Sequence, residues 1–208
     1  MRTGPAGGRL RIVNEQLALF DDEAADLEIA DLEGLLVAGA ALVQRGAEAR
    51  LSIVLTEQWR AVAIVEAFDR RGLPGEQVRT FDAQVSVRTP FHRSLLPLAS
   101  RWSRGSSKLP PAAWELTAAR VRLWALAAGR VDPAGYLLGL GRTDEPACWS
   151  AAGTALAAVG LAGTLLGPRA GGPAYRIVGQ RRTRRLCDLI GTAPAAAPSD
   201  AWPVEPQL

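Results

Sequence analysis

The chain has 208 residues, is 48% hydrophobic and 22% charged, and carries a formal net charge of +3. That balance fits a globular protein with one sizeable core or two small ones. No apolar run is long enough to cross a membrane, and no apolar stretch follows the basic start at Met1 to Pro5, so neither a membrane span nor a signal peptide is expected. Cys148 and Cys187 are too few and too far apart for a zinc cluster or a disulfide framework, which points to a reduced, cytoplasmic protein. Residues 1–33 hold three Arg and eight acids, net −5, leaving +8 on residues 34–208. A basic body behind an acidic leader suits a polyanionic partner, although solvated surface charge explains it equally well. Only Lys108 among the 24 basic residues is a lysine. The Arg excess accompanies Ala, Gly and Pro richness, so alone it is weak evidence for phosphate binding.

Residues 1–26 read as an acidic, flexible leader. Leu32 to Ala40 has helical apolar spacing and ends in small residues, which let two backbones approach and let a helix stop. Ala41 to Val43 and Arg50 to Leu55 read as a hairpin turning at Gln44 to Glu48. Thr56 then starts a helix reaching about Arg71, with Trp59, Val62, Ala63, Val65 and Phe68 on its apolar face. Gln77 to Phe81 and Ala83 to Arg88 read as two more strands, the second strictly alternating. Thr89-Pro90 reads as a helix start with Pro at the first helical position, and Lys108 to Pro111 as a rigid connector. Thr117 caps a second small-residue helix, Val121 to Gly129. Gly135 to Leu140, a helix over 145–161, strands at Gly163 to Leu166 and Ala174 to Val178, and a helix from Arg181 to Ile190 follow. An Ala/Pro-rich tail, 193–208, has Trp202 as its anchor.

The order helix–strand–strand–helix–strand–strand–helix thus occurs twice, with a weak or missing strand around Val131 in the second half. It predicts an α+β fold: two antiparallel sheets around a central pair of small-residue helices, from an internal duplication. The expected divisions are 27–108 for the first repeat and 109–192 for the second.

This order, with Leu32 to Ala40 and Val121 to Gly129 as two signature helices, resembles the LAGLIDADG homing endonucleases in their single-chain, two-repeat form. The Ala49 to Ile53 and Val85 to Thr89 strands and the Lys108-Leu109-Pro110-Pro111 segment are similar to the family's pattern at matching spacing. The resemblance implies a monomer with a pseudo-twofold axis between the signature helices. It also implies one carboxylate at the penultimate position of each, holding divalent metal beside the scissile phosphates. Those positions are Gly39 and Ala128, which supply no oxygen ligand for Mg²⁺. Glu33 lies too far back along the first helix, and Asp132 has no counterpart in the first half. The single histidine, His92, reads as a surface residue. No catalytic residue, metal or cofactor is therefore expected.

The resemblance implies a saddle of two sheets on double-stranded DNA. The strand positions read as facing away from the core are Gln44, Arg45, Arg50, Ser52, Arg79, Gln84, Ser86, Arg88 and Arg176. Arg45, Arg50, Arg79, Gln84, Arg88 and Arg176 are the DNA-binding candidates there, since Arg and Gln pair bidentately with guanine and adenine edges. Arg181, Arg182, Arg184 and Arg185 form a further cluster suited to phosphates. A catalytically inactive DNA-binding protein with a regulatory role is the leading reading. The alternatives are a protein-interaction module docking a partner through an apolar second half and, least favoured, a divergent metal-dependent endonuclease.

Overall fold

The computed structural model describes residues 27–204 apart from Phe81, Ala83, 105–106, 142–145 and 171; the acidic leader 1–26 lies outside the described residues. A 3-10 turn over Ile29–Leu32 runs straight into α1 (Glu33–Val37). The hairpin of β1 (Ala41–Arg45) and β2 (Glu48–Leu55) is followed by α2 (Gln58–Asp69), β3 (Glu76–Arg79), β4 (Val85–Arg88) and α3 (Leu96–Trp102). A small hairpin, β5 (Ser103–Arg104) and β6 (Ser107–Lys108), leads to α4 (Ala118–Ala128). The second half supplies β7 (Gly129–Asp132), β8 (Gly135–Gly139), α5 (Pro146–Ala158), β9 (Thr164–Leu166), β10 (Ala174–Ile177) and α6 (Gln180–Ile190).

Two four-stranded antiparallel sheets repeat one strand order, β1-β2-β4-β3 and β7-β8-β10-β9. The α+β arrangement expected from the sequence is therefore present. Between the sheets α1 packs on α4. A Cβ on Gly34 would run into the carbonyl of Arg120, so the absence of a side chain there sets how closely the helices meet. Glu33, fully buried, completes the junction: Arg120 Nη2 lies 3.1 Å from Oε2 and Arg101 Nη1 3.3 Å from Oε1. Neither guanidinium is aligned for a hydrogen bond, so the contact is charge pairing at close range. Each sheet turns one face to this centre. Leu51, Ile53, Val85 and Val87 are buried with Ile64 and Phe68 of α2, and Tyr136, Leu138 and Ile177 with Trp124 of α4.

Two sequence expectations fail locally. The weak strand near Val131 is fully formed, because β7 pairs with β8 from Gly129↔Leu138 to Asp132↔Gly135. Thr89-Pro90 does not start a helix. Thr89 is buried; its N–H donates to Leu51 O at 2.9 Å and its Oγ1 accepts from Leu51 N at 3.1 Å. The segment then bridges β2 at Ala49↔His92, and α3 begins only at Leu96. Competition from the sheet edge overrides a proline signal that fits a turn or an extended strand as well as a helix start. Thr117 does cap α4, its hydroxyl accepting from Arg120 N at 3.3 Å.

The tail closes the second half. Trp202 is buried and its Nε1 donates to Gly191 O at 2.8 Å; Tyr136 donates its phenol to Ala201 O at 3.3 Å. Burial pushes the Tyr136 phenol above its ordinary value of 10.0, the Arg60 charge opposing this in part. A phenol held neutral in the fold but free to ionise in the unfolded chain makes stability fall as pH rises past about 10. Tyr136→Phe should show a smaller loss of thermal midpoint between pH 8 and pH 11 than the parent, with Tyr175 and Lys108 common to both.

Candidate nucleic-acid interface

Both central helices end on a cation from elsewhere in the chain. The Nζ of Lys108 donates to Leu36 O at 2.7 Å and Ala40 O at 3.3 Å, at the end of α1. At the end of α4, Arg60 from α2 donates to Ala125 O at 3.1 Å, Leu126 O at 2.8 Å and the carbonyl of Gly129, while its Nε pairs with Glu57. Arg60 is buried, 6% exposed. These cations donate to the last carbonyls of each helix, two of which (Leu36 O and Ala125 O) also accept a backbone N–H, and complement the negative end of its dipole.

The residues at these ends do not fit a divalent metal. Gly39 has φ 109°, a conformation that L side chains rarely adopt, and a Cβ there would stand 2.9 Å from Gly141 Cα. The Gly141 N–H donates to Val37 O at 3.1 Å, so the strand exit of the second half occupies the ground in front of Gly39. Ala128 lies against Gly139. Glu33 is engaged by its two arginines, and Asp132 by Arg176 and by the N–H of Ala134 at 3.0 Å. Among the described residues no three His, Cys, Asp or Glu side chains come together as a metal site. His92 is exposed and its Nδ1 pairs with Ser94 Oγ at 2.7 Å.

Strand register sorts the candidates into faces, because residues directly opposite share a face. In the first sheet one row runs Ala41–Ser52–Arg88–Glu76, and a second pairs Val43 with Arg50. Arg45, Glu48, Val54, Ser86 and Val78 share this face, which carries none of the buried core positions. In the second sheet the corresponding row is Arg130–Leu137–Arg176–Thr164. Arg45, Arg50, Arg88 and Arg176 thus lie on outer faces as expected. Arg79 and Gln44 do not. Arg79 pairs with Val85 and Gln44 with Ala49, both buried on the inner side, and each is exposed only because it stands at a sheet margin. Gln84 sits in the β3–β4 turn, its carbonyl accepting from Thr80 N at 2.9 Å. Arg181, Arg182, Arg184 and Arg185 are exposed on α6, whose Leu186 and Ile190 are buried; α6 packs on α4, apart from the strand rows.

Sequence reasoning missed four contributors. Phe91 lies beneath two guanidiniums, Arg45 at 4.0 Å and Arg50 at 4.2 Å from its ring centroid. Glu76 pairs with Arg88 Nε, Asp132 with Arg176, and Arg130 joins the outer row of the second sheet. The misassigned Thr89-Pro90 start hid Phe91, and the missing strand hid Arg130 and the place of Asp132, weighed from the sequence only as a metal ligand, on the outer face.

Among solved structures the chain is similar to the homing endonuclease I-WcaI bound to its DNA recognition sequence, with TM-score 0.54 and 11% identity over 77% of this chain and 78% of that one. The chain has a LAGLIDADG homing-endonuclease fold. At this identity the likeness concerns the fold alone. No family model and no curated sequence matches the chain. Among the described residues no helix is long and apolar enough to cross a membrane.

Proposed function

We propose that this is a two-repeat LAGLIDADG-like protein, with repeats at 27–108 and 109–192, that binds double-stranded DNA across its outer sheet faces without cleaving it and serves a regulatory role. One observation carries the reading: Arg45, Arg50, Arg88, Arg130 and Arg176 share the two outer faces of a fold whose solved neighbour was determined on its DNA. These arginines meet three carboxylates there, Glu48, Glu76 and Asp132, which leaves the faces cationic. The exposed Arg45–Glu48 pair holds its partners by about 0–1 kcal/mol, which a phosphate can outcompete. The absence of cleavage rests on Gly39 and Ala128, and on a backbone at Gly39 with no room for a carboxylate.

The test is binding to random duplex DNA across a salt series, with a parallel plasmid incubation in Mg²⁺ or Mn²⁺. Affinity should fall with salt at a log–log slope of roughly −0.9 per phosphate contacted. Arg50→Ala should flatten that slope by about one unit and weaken all sequences alike. The plasmid should stay intact. Affinity weaker than about 10⁻⁴ M at low salt would remove the DNA reading. Metal-dependent cutting that disappears in Asp132→Ala would restore the endonuclease.

A further inference from the structure

We infer that Arg88 and Arg176 are a matched pair of guanine readers, each aimed by a carboxylate of its own sheet, Glu76 and Asp132. The inference rests on the DNA-binding reading above and says which residues read sequence.

The match comes from register. Aligning the signature helices so that Gly39 meets Ala128 also sets Ala41 against Arg130, each in the first strand of its sheet. From Ala41 the row crosses Ser52 to Arg88; from Arg130 it crosses Leu137 to Arg176. Arg88 and Arg176 therefore occupy the same place, the third strand of the same row on the same face. No other arginine of the outer faces has an arginine counterpart by this alignment.

The carboxylates reach them from different sides. Glu76 comes from the neighbouring edge strand β3 and accepts from Arg88 Nε. Asp132 comes from β7, across β8, with Oδ1 3.2 Å from Arg176 Nε and Oδ2 accepting from Nη2 at 3.4 Å. The Nε contact of Arg176 is close but off-line, so the pairing is held mainly along the Nε–Nη2 side. In both arginines the carboxylate takes the side edge of the guanidinium. The end edge, with one outward N–H on each Nη, remains for an acceptor pair. Guanine O6 and N7 are such a pair in the major groove.

A phosphate role fits these two residues less well. A carboxylate beside each guanidinium cancels its charge at range and would repel a phosphate, whereas a base edge is uncharged. Fixing a long side chain beforehand also removes part of the ordering cost of binding. Arg45 and Arg50, stacked on Phe91, lack a close carboxylate of this kind: Arg45 has Glu48 only at 3.9 Å. The division assigns phosphates to the stacked pair and bases to the buttressed pair. Because the repeats face each other about a twofold, the two guanines belong to opposite strands, one in each half-site.

The experiment is in vitro selection of binding sites from a random duplex library with the parent protein, Arg88→Gln, Arg176→Gln, Glu76→Gln and Asp132→Asn. The parent should enrich one guanine per half-site, preferred about 10- to 100-fold over other bases. Arg88→Gln should move one of these positions from guanine to adenine, which Gln reads through N6 and N7, and Arg176→Gln should move the other. A gained preference cannot arise from an unfolded variant. Glu76→Gln and Asp132→Asn should keep binding but lower the guanine preference at their own half-site. Failure of the parent to bind any duplex overturns the DNA reading and this inference together. Sequence-selective binding whose motif is unchanged by both Arg→Gln variants overturns this inference alone.

Discussion

Replacing Gly34 by leucine is expected to give one of the largest losses of stability in the molecule. A Cβ at this position meets the backbone carbonyl of Arg120, not a movable side chain. Relief requires α1 to move away from α4, which also separates fully buried Glu33 from Arg120 Nη2 at 3.1 Å. Overpacking of a tight core commonly costs about 1–3 kcal/mol, and immovable backbone puts this site at or above the upper end. For a chain of this size that is a fall in thermal midpoint of roughly 5–10 °C. Ala38→Leu, at a half-buried position nearer the helix end, should lower it less. An unchanged midpoint in Gly34→Leu would mean that the central helices do not meet there.

Arg60→Ala should cost on the order of 3–5 kcal/mol. The guanidinium donates to three carbonyls at the end of α4, and removing it takes a charged donor from each in a buried setting, with Ala125 O keeping only the N–H of Gly129. Charge-assisted bonds of this kind contribute about 1.5–3 kcal/mol each before relaxation and entering water reduce the sum. Arg60→Lys restores the charge but not the planar fork, so it should recover only part of the loss. Denaturant unfolding monitored by tryptophan fluorescence reads both variants, since Trp59 and Trp124 report on the two helices involved. If Arg60→Ala unfolds at the parent's midpoint, the cation at this helix end is dispensable. The same variant separates stability from cleavage chemistry: it should not create metal-dependent nicking, because Ala128 still offers no ligand.

The fold was legible because its largest signals are periodic. The alternation in Val85 to Arg88, the helical spacing of Leu32 to Val37 and Val121 to Leu126, and the Thr117 cap each arise from local geometry. Their order twice over, with small residues closing both signature stretches, was enough to set out two sheets around a central helix pair. The absence of carboxylates at Gly39 and Ala128 was equally readable, since it needs only the alignment of two short segments.

Side-chain partnership was not readable, and it decides what the outer face can do. Strand period places a residue on one face or the other only once the register is known, and register is set by pairing between distant segments. That is why Arg79 and Gln44 were placed with Arg50 and Arg88, although their partners Val85 and Ala49 face inward. It is also why the ion pair of Asp132 with Arg176, which β10 brings to it, was not foreseen. Phe91 under Arg45 and Arg50 depends on a segment that follows the edge of β2 where the sequence predicts a helix. The sequence by itself determined the architecture, the doubled order of elements and the residue types at Gly39 and Ala128, all of which follow from residue type and spacing along the chain. Only the tertiary structure decided which arginines face outward, which are tied to carboxylates, and that Lys108 and Arg60 close the two central helices, because each depends on groups far apart in sequence meeting across a folded core.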